Sequence, residues 1–538
     1  AAAGSSAADE LRLVMWRLAA GVATDPELLV SAARLAHQAG DWPTVERLAS
    51  AALDAGGPRP DYLMMRGEAQ LRMGRSADAL ETLQQAAAIA PRELVTPIAA
   101  IMAMAHVSVH EGLDAGLRVI QDAERAVGAD PGLALTRAQI ELFNNNPLEA
   151  DQILRELDGA FGDSPAERAI IAAARAQPLA ALGHVEESLA AARVALEFAR
   201  ATGGRAIPGH TVANALHTLG VVHLHAGEFE AAQAVATEAL VESLDTDDEI
   251  VARSIEFLLG RIAADTGRLD SAERWFRDTM SGALTSGPMS LYIPAVGSLA
   301  IVKAMRGDLD GARSDLGMIP AGVYVGAGGE IAQAWLSALT GDLPTASREI
   351  RVITDRYTTT GQRYLASVML FGLARMGGAA DAAAGLAALA AESSSPFIRL
   401  QATHVGAEVA GDRARLVETA EEWESRGARL WAAEAYSSAA RAARRAEEHR
   451  AAAALQVRAD ELAAQCEGAS TPLLQFSEEL APLTRREREI AALAAQGASS
   501  KEIAERLFLS TRTVDNHLQS IYGKLGIRGR HELHGSLS

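Results

Sequence analysis

The sequence predicts an all-α protein, in which a long array of helix pairs is followed by a small unit of short helices. Aromatic residues make up only 4% of the chain while Ala is abundant, a composition that favours closely packed helices over sheets. Turns of Gly followed by a polar residue recur at intervals of 34 to 40 residues over much of the chain. The C-terminal end then holds three helix-start signals in close succession.

The recurring unit is an apolar helix, a Gly–polar turn and a second helix. The turns lie at Gly40, Gly74, Gly183, Gly227, Gly267, Gly307, Gly341, Gly377 and Gly411, with weaker units near Gly112 and Asn145. Helix pairs of about 34 residues with Gly at the turn resemble the tetratricopeptide repeat. Residues 219–232 resemble the core pattern of that repeat, with His223 where Tyr is usual. We therefore predict a tetratricopeptide-like helical-repeat solenoid, stacked into a right-handed superhelix with a concave groove.

The three helix-start signals lie between residues 484 and 513. The capping residues are Thr484 with Glu487, Ser499 with Glu502, and Ser510. The first two pairs have the spacing of a capping box, and Gly497 is placed to end the first helix. Only Phe508, Leu509 and Ser510 separate the second helix from the third. Two short helices joined by so tight a corner predict a helix-turn-helix.

The third of these helices has one apolar and one polar face. Its apolar stripe consists of Val514, Leu518, Ile521 and Leu525, at spacings that must be buried together. The opposite face presents Arg512, Asn516 and Gln519, with Asp515 at its edge. Asn and Gln amides pair with adenine, and Arg pairs with guanine or phosphate. A solvated polar face is the alternative, but three capped helices in this order favour a DNA-reading helix.

The whole segment resembles the LuxR-type DNA-binding domain of bacterial transcription regulators. The resembling residues are Leu483, Thr484, Arg486, Glu487, Arg488, Glu489, Gly497, Lys501, Glu502, Ile503, Ala504, Leu507, Leu509, Ser510, Thr513, Val514, His517, Ile521, Lys524, Leu525 and Arg530. This match has many separate parts but covers only about fifty of the 538 residues. The resemblance implies a four-helix domain that binds promoter DNA.

In that family the residues just after the Thr–Val pair read bases, which implies base contacts for Asp515, Asn516 and Gln519. The residues that the resemblance places near phosphates are Lys501, Thr511, Arg512, Thr513 and Lys524. Relatives carry Lys or Arg at the position of Asp515. Its carboxylate would either accept a hydrogen bond from cytosine or repel phosphate.

Charge divides the chain in the same place. From Leu480 onward there are nine Lys and Arg against six Asp and Glu, a net charge of +3, which leaves −22 of the chain total of −19 for residues 1–479. A body of that charge is repelled by DNA. The repeat array must therefore have a different role from the C-terminal unit.

The composition of the chain excludes several classes of protein. Cys466 is the single cysteine, so an intramolecular disulfide is impossible and a reducing compartment is expected. The sequence lacks an apolar run of eighteen residues, a signal-peptide pattern, and any catalytic or zinc motif. We therefore predict a cytoplasmic, non-enzymatic protein without membrane contact, bound metal or cofactor.

Four further groups of residues could have a function, but for each of them we favour a purely structural role. They are a metal pair at His106 and His110, a pH- or ligand-sensitive group at His210, His217, His223 and His225, a phosphate loop at Gly326–Gly329, and a DNA-contacting stripe at Arg441, Arg444, Arg445 and Arg450. The structural readings are core and cap histidines, an inter-repeat turn, and a solvated helix face.

A repeat array followed by a LuxR-type domain is similar to the large regulators related to the maltose-regulon activator. Residues 10–56 resemble the stretch that follows the nucleotide-binding module in those proteins. The phosphate-binding pattern G-x-x-x-x-G-K-[ST] does not occur here. The chain is then either a piece of a longer protein, which we favour, or a form without the NTPase.

The predicted divisions are an N-terminal segment at 1–25, the repeat domain at 26–465, a linker at 466–482 and the helix-turn-helix domain at 483–538. We expect a bacterial transcription regulator whose repeats sense a small ligand or protein and whose last domain binds double-stranded promoter DNA as a homodimer or higher oligomer. RNA polymerase is a further candidate partner. The alternatives are a repeat-based interaction scaffold with a non-regulatory helix-turn-helix, and a fragment of an ATP-dependent regulator.

Overall fold

The computed structural model of the chain describes residues 7–109, 112–157, 159–160, 162, 164–204, 211–244, 248–285, 289–319, 326–475, 485–495, 497–507, 509–525 and 529. Within these ranges the regular secondary structure is entirely helical. None of the described helices combines the length and the apolar character needed to cross a bilayer.

In the described part of the chain, twenty-five α-helices form the repeat array. They are α1 (Ala7–Ala19), α2 (Pro26–Ala39), α3 (Trp42–Gly56), α4 (Pro60–Arg72), α5 (Ser76–Ala88), α6 (Arg92–Val107), α7 (Gly112–Val127), α8 (Pro131–Phe143), α9 (Pro147–Glu156), α10 (Pro165–Ala181), α11 (Val185–Thr202), α12 (Val212–Ala226), α13 (Phe229–Ser243), α14 (Glu249–Asp265), α15 (Leu269–Thr285), α16 (Met289–Met305), α17 (Leu309–Leu316), α18 (Gly326–Leu339), α19 (Leu343–Thr359), α20 (Arg363–Leu373), α21 (Ala379–Glu392), α22 (Pro396–Ala410), α23 (Arg413–Ser425), α24 (Arg429–Arg445) and α25 (His449–Ala463). The remaining helices are α26 (Pro472–Gln475), α27 (Arg485–Ala495), α28 (Ser500–Leu507) and α29 (Thr511–Leu525).

The glycines of the predicted turns join the paired helices. All nine have positive φ, from 66° at Gly411 to 97° at Gly377, a conformation that glycine adopts without steric cost. At the weaker unit, Asn145 takes the same conformation with φ 56°. An aspartate follows several of these glycines and caps the next helix, as Asp41 does by accepting from the Thr44 N–H at 3.1 Å. The predicted all-α, tetratricopeptide-like repeat fold is confirmed.

The first helix is packed into the array. Val14 of α1 is fully buried in one apolar cluster with Leu29 and Val30 of α2. The predicted boundary at residue 26 therefore falls between two helices that share a core, and we propose that the repeat domain begins at α1.

The array coils back onto itself, so that successive turns of the coil touch. We call the line of hydrogen bonds between residues 145–305 and residues 360–470 the seam. Its bonds run from Thr360 Oγ1 to the Asn145 carbonyl oxygen (2.7 Å), Arg363 Nη1 to Leu182 O (3.0 Å), Ser394 Oγ to Gly183 O (2.9 Å), Arg426 Nη1 to Gly227 O (3.4 Å), the Asp270 N–H to Glu467 Oε2 (2.6 Å), and the Ser470 N–H to Met305 O (2.6 Å). Each bond joins residues 165 to 215 positions apart, which helix pairs stacked only on their neighbours would not do.

The turn glycines at the seam also allow close approach. A Cβ at Gly227 would lie 2.4 Å from Cδ2 of Phe397, and one at Gly267 would lie 2.8 Å from Sγ of Cys466. Behind them an aromatic cluster fills the coil, with the rings of Trp423 and Trp431 edge-to-face at 5.0 Å. Gly at these positions thus meets two demands, one on φ and one on space.

The first part of the predicted linker lies against the repeats, and we propose that the repeat domain extends through it. Cys466 and Thr471 are fully buried and Leu473 is 2% exposed, so residues 466–475 pack against the repeats instead of forming a hinge. Cys466 is a buried member of the main apolar cluster of the repeats, and the partly buried Ala469 and Leu474 pack against that cluster. The rest of the predicted linker, from residue 476, lies outside the described residues.

Candidate nucleic-acid interface

Local capping sets the ends of α28 and α29. The Ser499 N–H donates to Glu502 Oε2 at 2.7 Å while the Glu502 N–H donates to Ser499 Oγ at 3.3 Å, so the predicted capping box is present. Hydrogen bonds with the hydroxyl and the backbone of Ser499 lower the pKa of Glu502. Ser510 Oγ accepts from the Thr513 N–H at 3.1 Å, as predicted for the third cap. Gly497 ends the first helix with φ 90°, and Thr484 lies outside the described residues.

Helices α27, α28 and α29 pack around one small core. Its buried members are Ile490, Ala491, Ala494, Ile503, Ala504, Val514, Leu518 and Ile521. The last three are the predicted stripe of α29, at 0%, 4% and 0% exposure. The side chain of Leu525 and the expected fourth helix at 530–533 lie outside the described part of the chain.

Burying the apolar stripe leaves the predicted base-reading side chains on the outer face of α29. Asp515, Asn516 and Gln519 are all exposed, and the structure thus brings the three together on one surface. Their amide and carboxylate groups match the donors and acceptors of base edges in a major groove.

The predicted phosphate-binding residues occupy the start of α28 and the start of α29. Lys501, Thr511 and Arg512 are exposed there, where backbone N–H groups also point outward and favour anions. Thr513 is only partly buried, and its hydroxyl lies 2.6 Å from Ser510 Oγ. Lys524 lies on α29, but its side chain is outside the described part of the structure.

Arg486 joins α27 to the end of α28, a role that the sequence did not predict. Arg486 of α27 donates from Nη2 to the Leu507 carbonyl oxygen and pairs through Nη1 with Glu489 at 2.9 Å. Its place in the LuxR pattern was the only available signal, because a spacing of 21 residues between donor and acceptor follows no helical period.

The histidine cluster does not form a common pocket among the described residues. His223 Nδ1 contacts Glu228 Oε2 at 2.6 Å, and His225 stacks on Tyr364 at 3.7 Å. Burial lowers the pKa of His217 to about 4 and that of His225 to about 3. These are core roles, while His210 lies outside the described residues.

The other candidate clusters are taken up by the repeat fold or lie partly outside the described residues. Arg441 is not part of a solvated stripe, because it donates to Glu408 Oε1 at 2.9 Å and to the Leu473 carbonyl at 3.1 Å. Gly326 begins α18. His110, the partner in the metal pair, is outside the described part of the chain.

Comparison with known proteins identifies the C-terminal unit. Residues 481–535 match the family model of bacterial regulatory proteins of the luxR family. The chain is 49% identical over 51 residues to a protein of Mycobacterium bovis named as an HTH-type transcriptional regulator, covering 10% of this chain and 6% of that protein. It is 50% identical over 48 residues to the spore germination protein GerE of Bacillus subtilis, covering 9% of this chain and 65% of GerE.

The chain thus spans only a small part of its mycobacterial relative and 65% of GerE. Among solved structures, it is similar to a Rap protein complexed with competence and sporulation factor, with a TM-score of 0.38 and 12% identity, over 76% of this chain and 98% of that one. The family match, the sequence identity to these two relatives and the packing of α27 to α29 all concern the same stretch. Residues 481–535 therefore belong to a LuxR-type helix-turn-helix domain.

Proposed function

We propose that this protein is a transcription regulator whose α29 reads promoter DNA under the control of the repeat array. The observation that carries the proposal is the exposed polar face of Asp515, Asn516 and Gln519 over a buried stripe. Asn516 and Gln519 read bases in the major groove, while Lys501 and the first turn of α29 hold the phosphates. Two copies bind half-sites about one DNA turn apart, since one such domain buries too little surface for tight operator binding.

Control by the repeats is supported by the way in which the chain leaves them. Ser437 Oγ and Arg441 Nη1 both donate to the Leu473 carbonyl oxygen, at 2.8 and 3.1 Å. The same short helix, α26, packs against the π-helical turn Ala374–Gly378, which lies between α20 and α21. A rearrangement of the repeats would therefore reach residue 475, ten positions before α27 begins. A ligand works through this route only if it binds the two arrangements with different affinity.

The test is selection of genomic promoter fragments by the full chain, followed by footprinting. We expect a protected site with two related half-sites, and loss of the footprint in Asn516→Ala. Gln85→Ala, which removes an exposed amide from α5, is the matched control and should keep it. A chain that binds every fragment equally, or a footprint unchanged by Asn516→Ala, would contradict the proposal and favour the scaffold.

A further inference from the structure

Inside the coil lies a cavity of about 680 Å³, which we call the central cavity. Helices α14, α16, α20, α22 and α24 contribute to its wall, together with the ends of α6 and α8. The wall is largely apolar and aromatic, with rings from Phe257, Phe276, Trp335, Phe371 and Trp431. This volume is within the range of small-molecule sites, roughly 300–1,000 Å³.

The central cavity holds a polar side chain without a partner. Gln401 is fully buried, and neither its Nε2 nor its Oε1 has a hydrogen bond to any described residue. The indole Nε1 of Trp431, on the same wall, is buried and equally without one. Buried amides are almost always paired, and leaving one unpaired destabilises a protein. A primary amide, which offers N–H donors and a carbonyl acceptor, is complemented by a peptide group.

Two opposite charges face the same space. Asp265 and Arg261 both line the central cavity, one helical turn apart on α14. Asp265 has no hydrogen-bond or ion-pair partner among the described residues, and burial raises its pKa although Arg261 and Arg375 oppose this. Arg261 donates to the Tyr364 hydroxyl at 3.3 Å through one of its nitrogens. A carboxyl group and a guanidinium one helical turn apart offer one partner for each end of a small zwitterion.

A further buried charge on the wall, that of Arg375, is already paired. Arg375 donates to both carboxylate oxygens of Glu434, at 2.7 and 3.0 Å, and both side chains are buried. Its guanidinium also lies against the rings of Trp335 and Trp431. Among the buried or half-buried groups of the wall, those that we assign to ligand recognition are the carboxyl group of Asp265, the guanidinium of Arg261 and the amide of Gln401. The wall also carries the exposed side chains of Asp114 and Asn144 and the half-buried Asn145.

We propose that the central cavity binds a short peptide of apolar residues, of dipeptide to tripeptide size, with free termini. Its ammonium group lies at Asp265, its carboxylate at Arg261, its peptide group at Gln401, and its side chains against the aromatic wall. This inference rests on the proposed function, since it names the ligand through which the repeats control DNA binding. Arg375 links the site to the DNA-binding end, because it lies in the turn against which α26 packs.

Calorimetric titration of the full chain with Leu-Phe and Leu-Leu-Phe tests the proposal. We expect saturable one-to-one binding of at least one of these free peptides. Acetylating the amino terminus or amidating the carboxyl terminus should each weaken binding at least tenfold, because each removes a charge-assisted hydrogen bond. Absence of binding by both free peptides at millimolar concentration, or equal binding of the doubly capped forms, would overturn the proposal.

Variants separate recognition from folding. Asp265→Asn should weaken the free peptides at least tenfold and remove the discrimination against the acetylated form. Asp355→Asn, an exposed position on α19, is the control and should bind as the native chain does. Gln401→Leu should raise the melting temperature of the ligand-free protein, since it removes an unpaired amide. The same substitution should lower the affinity for the peptide. Unchanged affinity in Asp265→Asn would overturn the assignment.

Footprinting on the same preparations distinguishes a failure of the ligand proposal from a failure of the proposed function. A specific footprint without peptide binding would refute only the ligand, and leave the regulator as proposed. Absence of a footprint in the native chain would refute the proposed function, whatever the calorimetry gives.

Discussion

Arg486 of α27 donates a hydrogen bond to the backbone carbonyl oxygen of Leu507, the last residue of α28. The carbonyls at a helix C-terminus lack partners within the helix and carry partial negative charge. The guanidinium of Arg486 both donates a hydrogen bond to such a carbonyl and offsets its negative charge. The angle between the first two helices of the DNA-binding unit is therefore fixed by one side chain in addition to the apolar core.

Arg486→Ala should loosen that unit. We expect its local stability to fall by about 1–2 kcal/mol, since a charge-assisted bond to a helix end is lost, and binding to weaken on all DNA sequences together. Amide hydrogen exchange in α28 measures the first effect and fluorescence anisotropy the second. Arg47→Ala, which removes one exposed positive charge from α3, is the control; equal effects of the two would show that charge alone matters.

Substitutions on α29 should change sequence specificity, whereas a substitution on α28 should change the affinity for all DNA. Asn516→Ala and Gln519→Ala should each cost about 1–3 kcal/mol at the preferred site and little on random DNA. Lys501→Ala should weaken both and reduce the dependence of binding on salt, because one counterion fewer is released. Titrations at three salt concentrations on both kinds of DNA measure this. Parallel losses for Asn516→Ala on cognate and random DNA would mean that other residues read the bases.

The seam makes two glycines of similar φ unequal. Gly411 has φ 66° with open space around it, whereas a Cβ at Gly227 would meet Phe397. Gly411→Ala should destabilise the array by roughly 1–2 kcal/mol, from backbone strain alone. Gly227→Ala should add roughly 1–3 kcal/mol for the forced displacement of the ring. Denaturant midpoints of the two variants compare them, and equal midpoints would speak against a close-packed seam.

Buried histidines should make the array sensitive to acid. Burial lowers the pKa of His404 to about 3, while the unfolded chain has a histidine pKa of about 6.5. Below pH 6.5 the unfolded state thus binds protons that the folded state refuses, and stability falls as the pH drops toward 4. The slope is about 1.4 kcal/mol per pH unit for each such histidine.

Denaturation between pH 7.5 and pH 5 measures this slope. His404→Leu should reduce this slope by the contribution of about one proton taken up on unfolding, whatever the effect of the substitution on absolute stability. His449→Leu, which removes an exposed imidazole at the start of α25, is the matched control. A slope unchanged in His404→Leu would mean that this imidazole is charged in the fold.

Local patterns were sufficient to predict the helices and the exposed polar face of α29. The glycine turns and the Ser499 and Ser510 caps depend on residues a few positions apart, so the sequence specifies them directly. The face of α29 followed from the spacing of Val514, Leu518 and Ile521, because the buried stripe determines what remains outside.

What the sequence did not predict depends on distant partners. Arg441 reads as one of several solvated arginines, and only the fold places Glu408 and the Leu473 carbonyl beside it. The packing of Cys466 against Gly267 joins positions about two hundred residues apart, and no periodicity carries such information. For the same reason the central cavity had no signal, since its walls come from helices scattered through the chain.

The seam also limits how this chain can change in evolution. In a simple solenoid a repeat can be gained or lost anywhere, because each unit touches only its neighbours. Here Gly183 must meet Ser394 and Gly227 must meet Arg426. Removing one helix pair between the two sides would shift every such contact by one unit, much as a slipped strand displaces a whole sheet. The number of repeats within one turn of the coil is thus fixed, while the ends of the array stay free to vary.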